Sequence, residues 1–257
     1  MGRRITVEAL TDIPLVNEGD ELAELISASL TKSRIEPQNG DILVIAQKIV
    51  SKAEGRIVDL NKVVPSQRAL DLAAKAEKDP RLLEVILAES TDVIRSVRGV
   101  VITRHKNGWV MANAGIDASN VKSEPGEECV LLLPKNPDRT CHLLRKDLEK
   151  VLGIQLGVIV SDSFGRPWRH GTTGVALGAS GIRSLWDRRG EKDLFGREMQ
   201  TSQQALADEL ASAASLIQGQ GAESCPIALI RGCRSAMEGE LNSASTLLRE
   251  IEQDLFQ

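Results

Sequence analysis

Several stretches of this chain carry their apolar residues in short unbroken runs, and each run is bounded by residues that turn the backbone. Gly40-Asp41 precedes Ile42-Leu43-Val44-Ile45-Ala46, a run of strand length that predicts a strand covered on both faces. The same reasoning predicts strands at Val100–Thr103, at Val130–Leu133 closed by Pro134, at Gly157–Val160 and at Pro226–Ile230. Asn107-Gly108 stands between Val100–Thr103 and Trp109-Val110-Met111, and predicts a two-residue hairpin turn with positive φ at both positions. Helical periodicity runs from Ser66 to about Ala88 and is interrupted at Asp79-Pro80, which gives two helices or one broken one. Asp138 is read as the cap of a helix reaching Leu152, with Gly153 as its stop. An Ala-rich helix follows from Thr201 to Ile217, and an amphipathic one from Leu241 to Leu255. Strands and helices mix without a regular βαβ repeat. The order predicts an α+β fold of mixed β-sheets with packed helices. No linker divides the chain, so residues 1–257 read as one domain, with two interlocked α+β subdomains as its internal division.

Composition narrows the function classes. The chain of 257 residues is 42% hydrophobic and 26% charged, an ordinary globular balance, but only 2% aromatic, with no Tyr. A sequence-general single-strand nucleic-acid binder needs aromatic platforms beside a basic groove, and neither is present in quantity. A net charge of −4 likewise disfavours broad phosphate-backbone binding. From Phe164 to Arg197, however, the chain carries a local net charge of +4, which suits small anionic substrates. Cys129, Cys141, Cys225 and Cys233 are widely spaced without a CxxC pair, and are read as reduced thiols of a cytoplasmic protein. Met1-Gly2-Arg3-Arg4 fits acylation and twin-arginine patterns only formally, because Glu8, Asp12, Glu18 and Asp20 break up the stretch after it. No apolar run approaches the ~18 residues of a membrane span.

The usual nucleotide signatures fail. There is no G-x-x-x-x-G-K-[ST], and Gly219-Gln220-Gly221-Ala222-Glu223-Ser224 lacks the last glycine of the dinucleotide fingerprint. His105, His142 and His170 are the only histidines and form no HExxH, which disfavours a His-ligated zinc hydrolase. The densest chemistry lies in Ser161–Gly174, read as a loop after the Gly157–Val160 strand. One reading makes Ser163 the nucleophile of an imitation G-x-S-x-G elbow with His170 as base, but the two lie too close in sequence for the usual order. The other makes Asp162 and Ser163 hard oxygen ligands of Mg²⁺ or Mn²⁺, with Arg166 and Arg169 as catalytic cations that stabilise phosphate or carboxylate charge. Asp117 would supply a second carboxylate from Asn113–Asn120, against the plain alternative of an Asx-turn. Lys48 and Lys52 could meet phosphates, against the alternative of a solvated strand end.

Gly40–Arg56, Ala112–Val121, Ser161–Gly174, Asp193–Glu198 and Ala207–Gln220 together resemble the coenzyme F-420-0:γ-L-glutamyl ligase family, in the family's order and over nearly the whole chain. The chain resembles the stand-alone form, without the nitroreductase-like extension of fused versions. The resemblance implies an unusual γ-glutamyl-ligase-type α+β fold in an intertwined homodimer. It implies a GTP-dependent ligase that adds L-glutamate to coenzyme F-420-0 through an acyl phosphate and can extend a γ-linked tail. Two divalent cations, Mg²⁺ or Mn²⁺, come with it, and K⁺ is a further cation it admits.

Matched residue by residue, Asp117 and Asp162 correspond to ligands of the first metal, and Ser163 and Gln220 to those of the second. Ile13-Pro14-Leu15-Val16, Gln47, Lys48, Lys52 and Asn120 correspond to nucleotide contacts. So does the loop Gln218, Gly219, Gln220, Gly221, Ala222, Glu223, Ser224 and Cys225. Departures are visible: Gln47-Lys48 stands where Ser-Thr is frequent, and the 218–225 loop lacks an Asp and a Gly of the usual pattern. Asp193–Glu198 carries no role over. For stacking a deazaflavin, Trp168 is the first candidate, with Trp186 and Phe195 read as core residues. A metal-dependent phosphohydrolase and a non-catalytic GTP-binding protein are the alternatives.

Overall fold

The computed structural model describes residues 4–121 and 123–253. In chain order the first half contains β1 (Thr6–Ala9), α1 (Leu22–Lys32), β2 (Ile42–Ala46), α2 (Gln47–Ala53), β3 (Ile57–Asp59), α3 (Gln67–Ala76), α4 (Pro80–Ala88), β4 (Ser90–Val97), β5 (Val100–His105), β6 (Val110–Ala112) and β7 (Cys129–Leu131). The second half contains α5 (Pro137–Leu152), β8 (Gly157–Arg166), β9 (Arg169–Ser180), β10 (Leu185–Asp187), β11 (Gln203–Ala205), α6 (Leu206–Gln218), β12 (Ile227–Arg231) and α7 (Arg234–Met237). The fold is a mixed α+β arrangement with several sheets.

The largest sheet has the order β1-β12-β2-β8-β9, antiparallel except for the parallel pair β2 and β8. β2 reads as a continuous apolar run because helices cover both sides of it. Leu43 and Ile45 enter a core shared with α1 and α5, while Ile42 and Val44 enter a core shared with α6. Two glycines of β9 let those helices come close. A Cβ at Gly174 would lie 2.3 Å from the Ala211 carbonyl oxygen on α6, and one at Gly178 would lie 2.3 Å from the Pro137 carbonyl carbon on α5. A bulge opposite Val160/Ser161 lets two glycines four positions apart face opposite layers.

The chain between β2 and β8 folds over a third core, in which α3 and α4 pack with Val101, Ala114, Val130 and Leu132. Here β4, β5 and β6 form one small sheet, and β3 with β7 another. The Asp79-Pro80 interruption is a true boundary: the Asp79 side chain caps α4 and Pro80 is its first residue, while Ser66 caps α3.

Local reading departs from the structure at six places. Asn107-Gly108 is not a two-residue turn. Only Gly108 has positive φ, and His105 pairs with Trp109 across a three-residue loop with a Gly108 N–H to His105 carbonyl bond of 2.8 Å. The cap of α5 is Asn136, not Asp138; Asp138 instead accepts from the backbone of Ala179, Ala244 and Ser245, tying β9 to the C-terminal strap. Ser161–Gly174 is not a loop, because β8 continues to Arg166 and pairs with β9 around Pro167-Trp168. The helix expected from Thr201 starts at Leu206, after the short strand β11.

The helix expected from Leu241 is absent among the described residues, and Leu255 lies outside them. Short 3₁₀ turns at Ala244–Leu247 and Ile251–Gln253 stand there instead. Asn242 spends its side chain on Ser184 and Leu185, and Leu247 and Leu248 pack against different cores, so the segment works as a strap. Phe195 is exposed rather than a core residue, whereas Trp186 is partly buried between the guanidinium groups of Arg183 and Arg188 at 5.0 and 4.6 Å. All four cysteines are free thiols. No described helix is long and apolar enough to cross a membrane.

Candidate active site

A cavity of about 610 Å³ opens beyond the carboxyl end of β2, where β8 runs on past its neighbour. Crevices at the carboxyl ends of parallel strands are where α/β sheets commonly bind ligands. Five separated segments build its walls: residues 13–16, the start of α2, the 117–121 segment, Ser161–Ser163 of β8 and the 218–226 loop.

α2 starts directly where β2 ends, so Lys48 and Lys52, one helical turn apart, both face the cavity. Lys52 has no ion pair among the described residues. Burial and the neighbouring Lys48 charge hold its ammonium below the usual lysine range.

Asp117 is aimed by an unusual turn. Asn113, Ala114 and Gly115 all have positive φ, at 52°, 53° and 70°. For the two that are not glycine this costs on the order of 1 kcal/mol or more each, a strain tolerated where a side chain must be aimed. The Asp117 backbone is then pinned to Leu131 in both directions, at 3.2 and 2.8 Å. Its carboxylate receives the Lys48 ammonium at 2.6 Å and the Ser119 hydroxyl at 2.6 Å. Burial alone would raise the Asp117 pKa, but the bonds from Lys48 and Ser119 outweigh it and hold the group below the usual carboxylate range.

β8 carries Asp162, which makes no ion pair among the described residues. Burial pushes its carboxyl up to about 6, against a smaller opposing effect of the Ser163 backbone and the Lys48 charge. Next to it the Ser163 hydroxyl donates to Gln220 Oε1 at 2.9 Å. The loop holding Gln220 is anchored by Gln218, whose amide donates to the carbonyls of Val44 and Pro226 at 3.0 and 3.2 Å. Asn120 closes the rim with a 3.3 Å bond to the Gly221 carbonyl.

Ile13, Pro14, Leu15, Val16, Gln47, Lys48, Lys52, Asn120, Gln218, Gly219, Gln220, Gly221, Ala222, Ser224 and Cys225 thus line one cavity together with Asp117, Asp162 and Ser163. Glu223 does not line it; its carboxylate turns back to accept from Gly221 N at 2.7 Å and shapes the loop. Arg166 and Arg169 stand outside, at the exposed end of the β8–β9 hairpin, where Arg166 donates to the His170 carbonyl. Trp168 is exposed at the same tip and does not border the cavity. Ser163 pairs across the hairpin with Gly174, and its hydroxyl goes to Gln220, so it makes no contact with His170 among the described residues.

Sequence reasoning missed Ser119, which bonds both Lys48 and Asp117. Its spacing two residues after an aspartate is the signature of an Asx-turn, and that signal was present in the chain. Among the described residues no three His, Cys, Asp or Glu side chains gather as a metal cluster. The oxygen set of two carboxylates, a hydroxyl and an amide carbonyl suits hard divalent ions such as Mg²⁺ or Mn²⁺, which keep several waters.

Comparison with known proteins agrees over nearly the whole chain. The sequence pattern of the F420-0:Gamma-glutamyl ligase family matches residues 11–232. The chain is 41% identical over 256 residues to the coenzyme F420:L-glutamate ligase of Methanocaldococcus jannaschii, covering 99% of this chain and 97% of that protein. It is 42% identical over 252 residues to the protein of that name from Methanothermobacter thermautotrophicus, covering 98% of each. It is 44% identical over 243 residues to the one from Methanopyrus kandleri, covering 94% of this chain and 93% of that protein.

Proposed function

The chain belongs to the F420-0:gamma-glutamyl ligase family and is a ligase, and we propose that it joins L-glutamate to coenzyme F420-0 in the cavity beyond β2, at the expense of GTP. The observation that carries this reading is the convergence of Asp117, Asp162, Ser163 and Gln220 with Lys48 and Lys52 in one cavity. Phosphoryl transfer to a carboxylate needs oxygen ligands for a divalent ion and fixed cations for phosphate charge, side by side. A volume of about 610 Å³ is of the size that accepts a nucleotide-sized ligand.

In this proposal a carboxylate oxygen of the acceptor attacks the γ-phosphorus of GTP, forming an acyl phosphate and releasing GDP. The glutamate amine, having lost a proton, attacks the acyl carbon; the C–N bond forms and the C–O bond to phosphate breaks. Asp117, Asp162, Ser163 and Gln220 would hold Mg²⁺ or Mn²⁺, which when bound neutralises phosphate charge. Lys52 and Lys48 bind phosphate oxygens from α2, and Asn120 with the 218–225 loop orients the nucleotide. Each added glutamate carries a new γ-carboxylate, so the same chemistry can extend a γ-linked tail.

The exposed Trp168, Leu194 and Phe195, amid the basic 164–197 segment, support a homodimer that covers them. Four free thiols support a cytoplasmic protein, in which they stay reduced.

Mass spectrometry after incubation with coenzyme F420-0, GTP, Mn²⁺ and L-glutamate tests the reading. The expected product is heavier by one or more glutamyl residues, and replacing GTP with ATP abolishes it. No mass change under conditions where the protein binds GTP would make it a non-catalytic binder. GTP turnover that ignores the acceptor would make it a phosphohydrolase.

A further inference from the structure

Asp117 is half of the carboxylate set available to a divalent ion, yet protein donors already hold most of its lone pairs. Oδ2 accepts from Lys48 Nζ and from Ser119 Oγ, each at 2.6 Å, and Oδ1 accepts from Ser119 N at 2.8 Å. The same ammonium lies 3.1 Å from the Ser119 carbonyl oxygen and 2.5 Å from Ser119 Oγ. Lysine has three N–H donors, and here all three find oxygens on one short span of chain. Three oxygens around one positive charge make a cation seat, and the cation in it belongs to the protein. A divalent ion that approaches Oδ2 competes with that ammonium, because two positive charges a few ångströms apart repel strongly in a half-buried site. Asp162, in contrast, has no such internal partner among the described residues.

We propose that Lys48 is an internal counter-ion of the Asp117 seat, one that a divalent cation must displace and that then turns, beside Lys52, to the phosphate groups of the nucleotide. This rests on the metal-and-nucleotide reading of the cavity. A lysine suits the task, because its flexible stem carries a point charge that can move between acceptors without losing a fixed bidentate geometry. Metal and phosphate binding are thereby coupled through one side chain: the ion that takes Asp117 releases a cation to the phosphate.

Two binding measurements with opposite expected signs test it. Mn²⁺ alone, titrated by the loss of its free-ion electron paramagnetic resonance signal, is expected to bind Lys48→Met on the order of tenfold more tightly than the unaltered protein. GTP in the presence of saturating Mn²⁺, where the ion has freed Lys48 for the phosphates, is expected by calorimetry to bind Lys48→Met on the order of tenfold more weakly. Lys48→Arg keeps the charge and is expected to keep the weak Mn²⁺ affinity. Ser119→Ala, which removes one ammonium acceptor and one Asp117 donor while leaving both charges, is expected to tighten Mn²⁺ by a smaller factor, and it serves if Lys48→Met does not fold. A merely structural lysine would weaken both ligands together, and that result overturns the proposal. Equal Mn²⁺ affinity in the unaltered protein and in folded Lys48→Met or Ser119→Ala overturns it alone. Failure of every form to bind Mn²⁺, with or without GTP, overturns the metal reading of the cavity as well.

Discussion

Two ion pairs join the α2–β3 region to the third core, and their cations stand only eight positions apart. Lys48–Asp117 opens onto the cavity, with side chains 25% and 43% exposed. Arg56–Glu89 is closed, with side chains 15% and 13% exposed. Around Glu89 stand His105 at 3.7 Å and Lys106 at 3.6 Å, while Arg56 also donates to the Leu133 carbonyl at 2.9 Å. The chemistry of the two pairs is nearly the same. What differs is whether a ligand can reach them. The closed pair is surrounded by protein donors and contributes to the fold, whereas the open pair borders Lys52 and Asp162, which make no ion pair among the described residues.

The comparison can be broken most directly from the open side. Asp162→Asn is expected to lower kcat by about 10²–10³-fold, as loss of a charge-positioning group does. Its melting temperature at pH 8 should not fall, because burial disfavours the charged Asp162 that the substitution removes. A large drop in melting temperature would place Asp162 among the structural groups. The closed side behaves in reverse. Glu89→Gln leaves Arg56 buried without its partner and is expected to cost about 3–5 kcal/mol in urea denaturation, with turnover per folded molecule retained.

The pH dependence of the closed pair follows from its sign. Burial raises the Glu89 pKa, but His105 and the charges of Arg56 and Lys106 outweigh it and leave the group below its ordinary 4.5. Its stabilisation is therefore complete above pH 4.5 and is lost as pH falls through the depressed folded value. The stability gap between the unaltered protein and Glu89→Gln should narrow in acid; a gap constant from pH 7 to pH 3 would contradict this.

Smaller effects sharpen the boundary of the cavity. Ser163→Ala, which removes the hydroxyl bonded to Gln220, is expected to lower turnover about tenfold, while Ser163→Thr retains most of it. Arg166→Ala and Arg169→Ala, at the exposed hairpin end, are expected to change GTP affinity by no more than about twofold, as surface substitutions do. A larger loss in calorimetry would bring the hairpin tip into the nucleotide site.

Much of this was readable along the chain wherever the signal was local. β2 is an apolar run between turn residues, α3 and α4 separate at Asp79-Pro80, and α5 stops at Gly153 with φ 69°. β4 gave no signal, because its Ser90–Val97 run is polar and partly exposed and is held by pairing with β5. α1 went unread as well; its burial comes from packing on the first core rather than from a strong stripe. The last expected helix failed because tertiary contacts of Asn242, Leu247 and Leu248 won over periodicity. In the site, Asp117, Asp162 and Ser163 stood out as oxygen donors, but Ser119 did not, since its value lies in what reaches it from residue 48.

Three of the five strands of the largest sheet, β2, β8 and β12, were legible in the chain, as were several helix ends and the side chains that carry oxygen and charge, whereas β1 and β9 were not. That these side chains meet follows from long-range packing alone. The Asn120 side chain and the Gly221 carbonyl it bonds are 101 positions apart, and Lys48 and Asp117 are 69 apart. The physical reason is range: caps, turns and periodicity act within a few residues, whereas a cavity, a closed ion pair and an open one depend on how distant surfaces pack and exclude water.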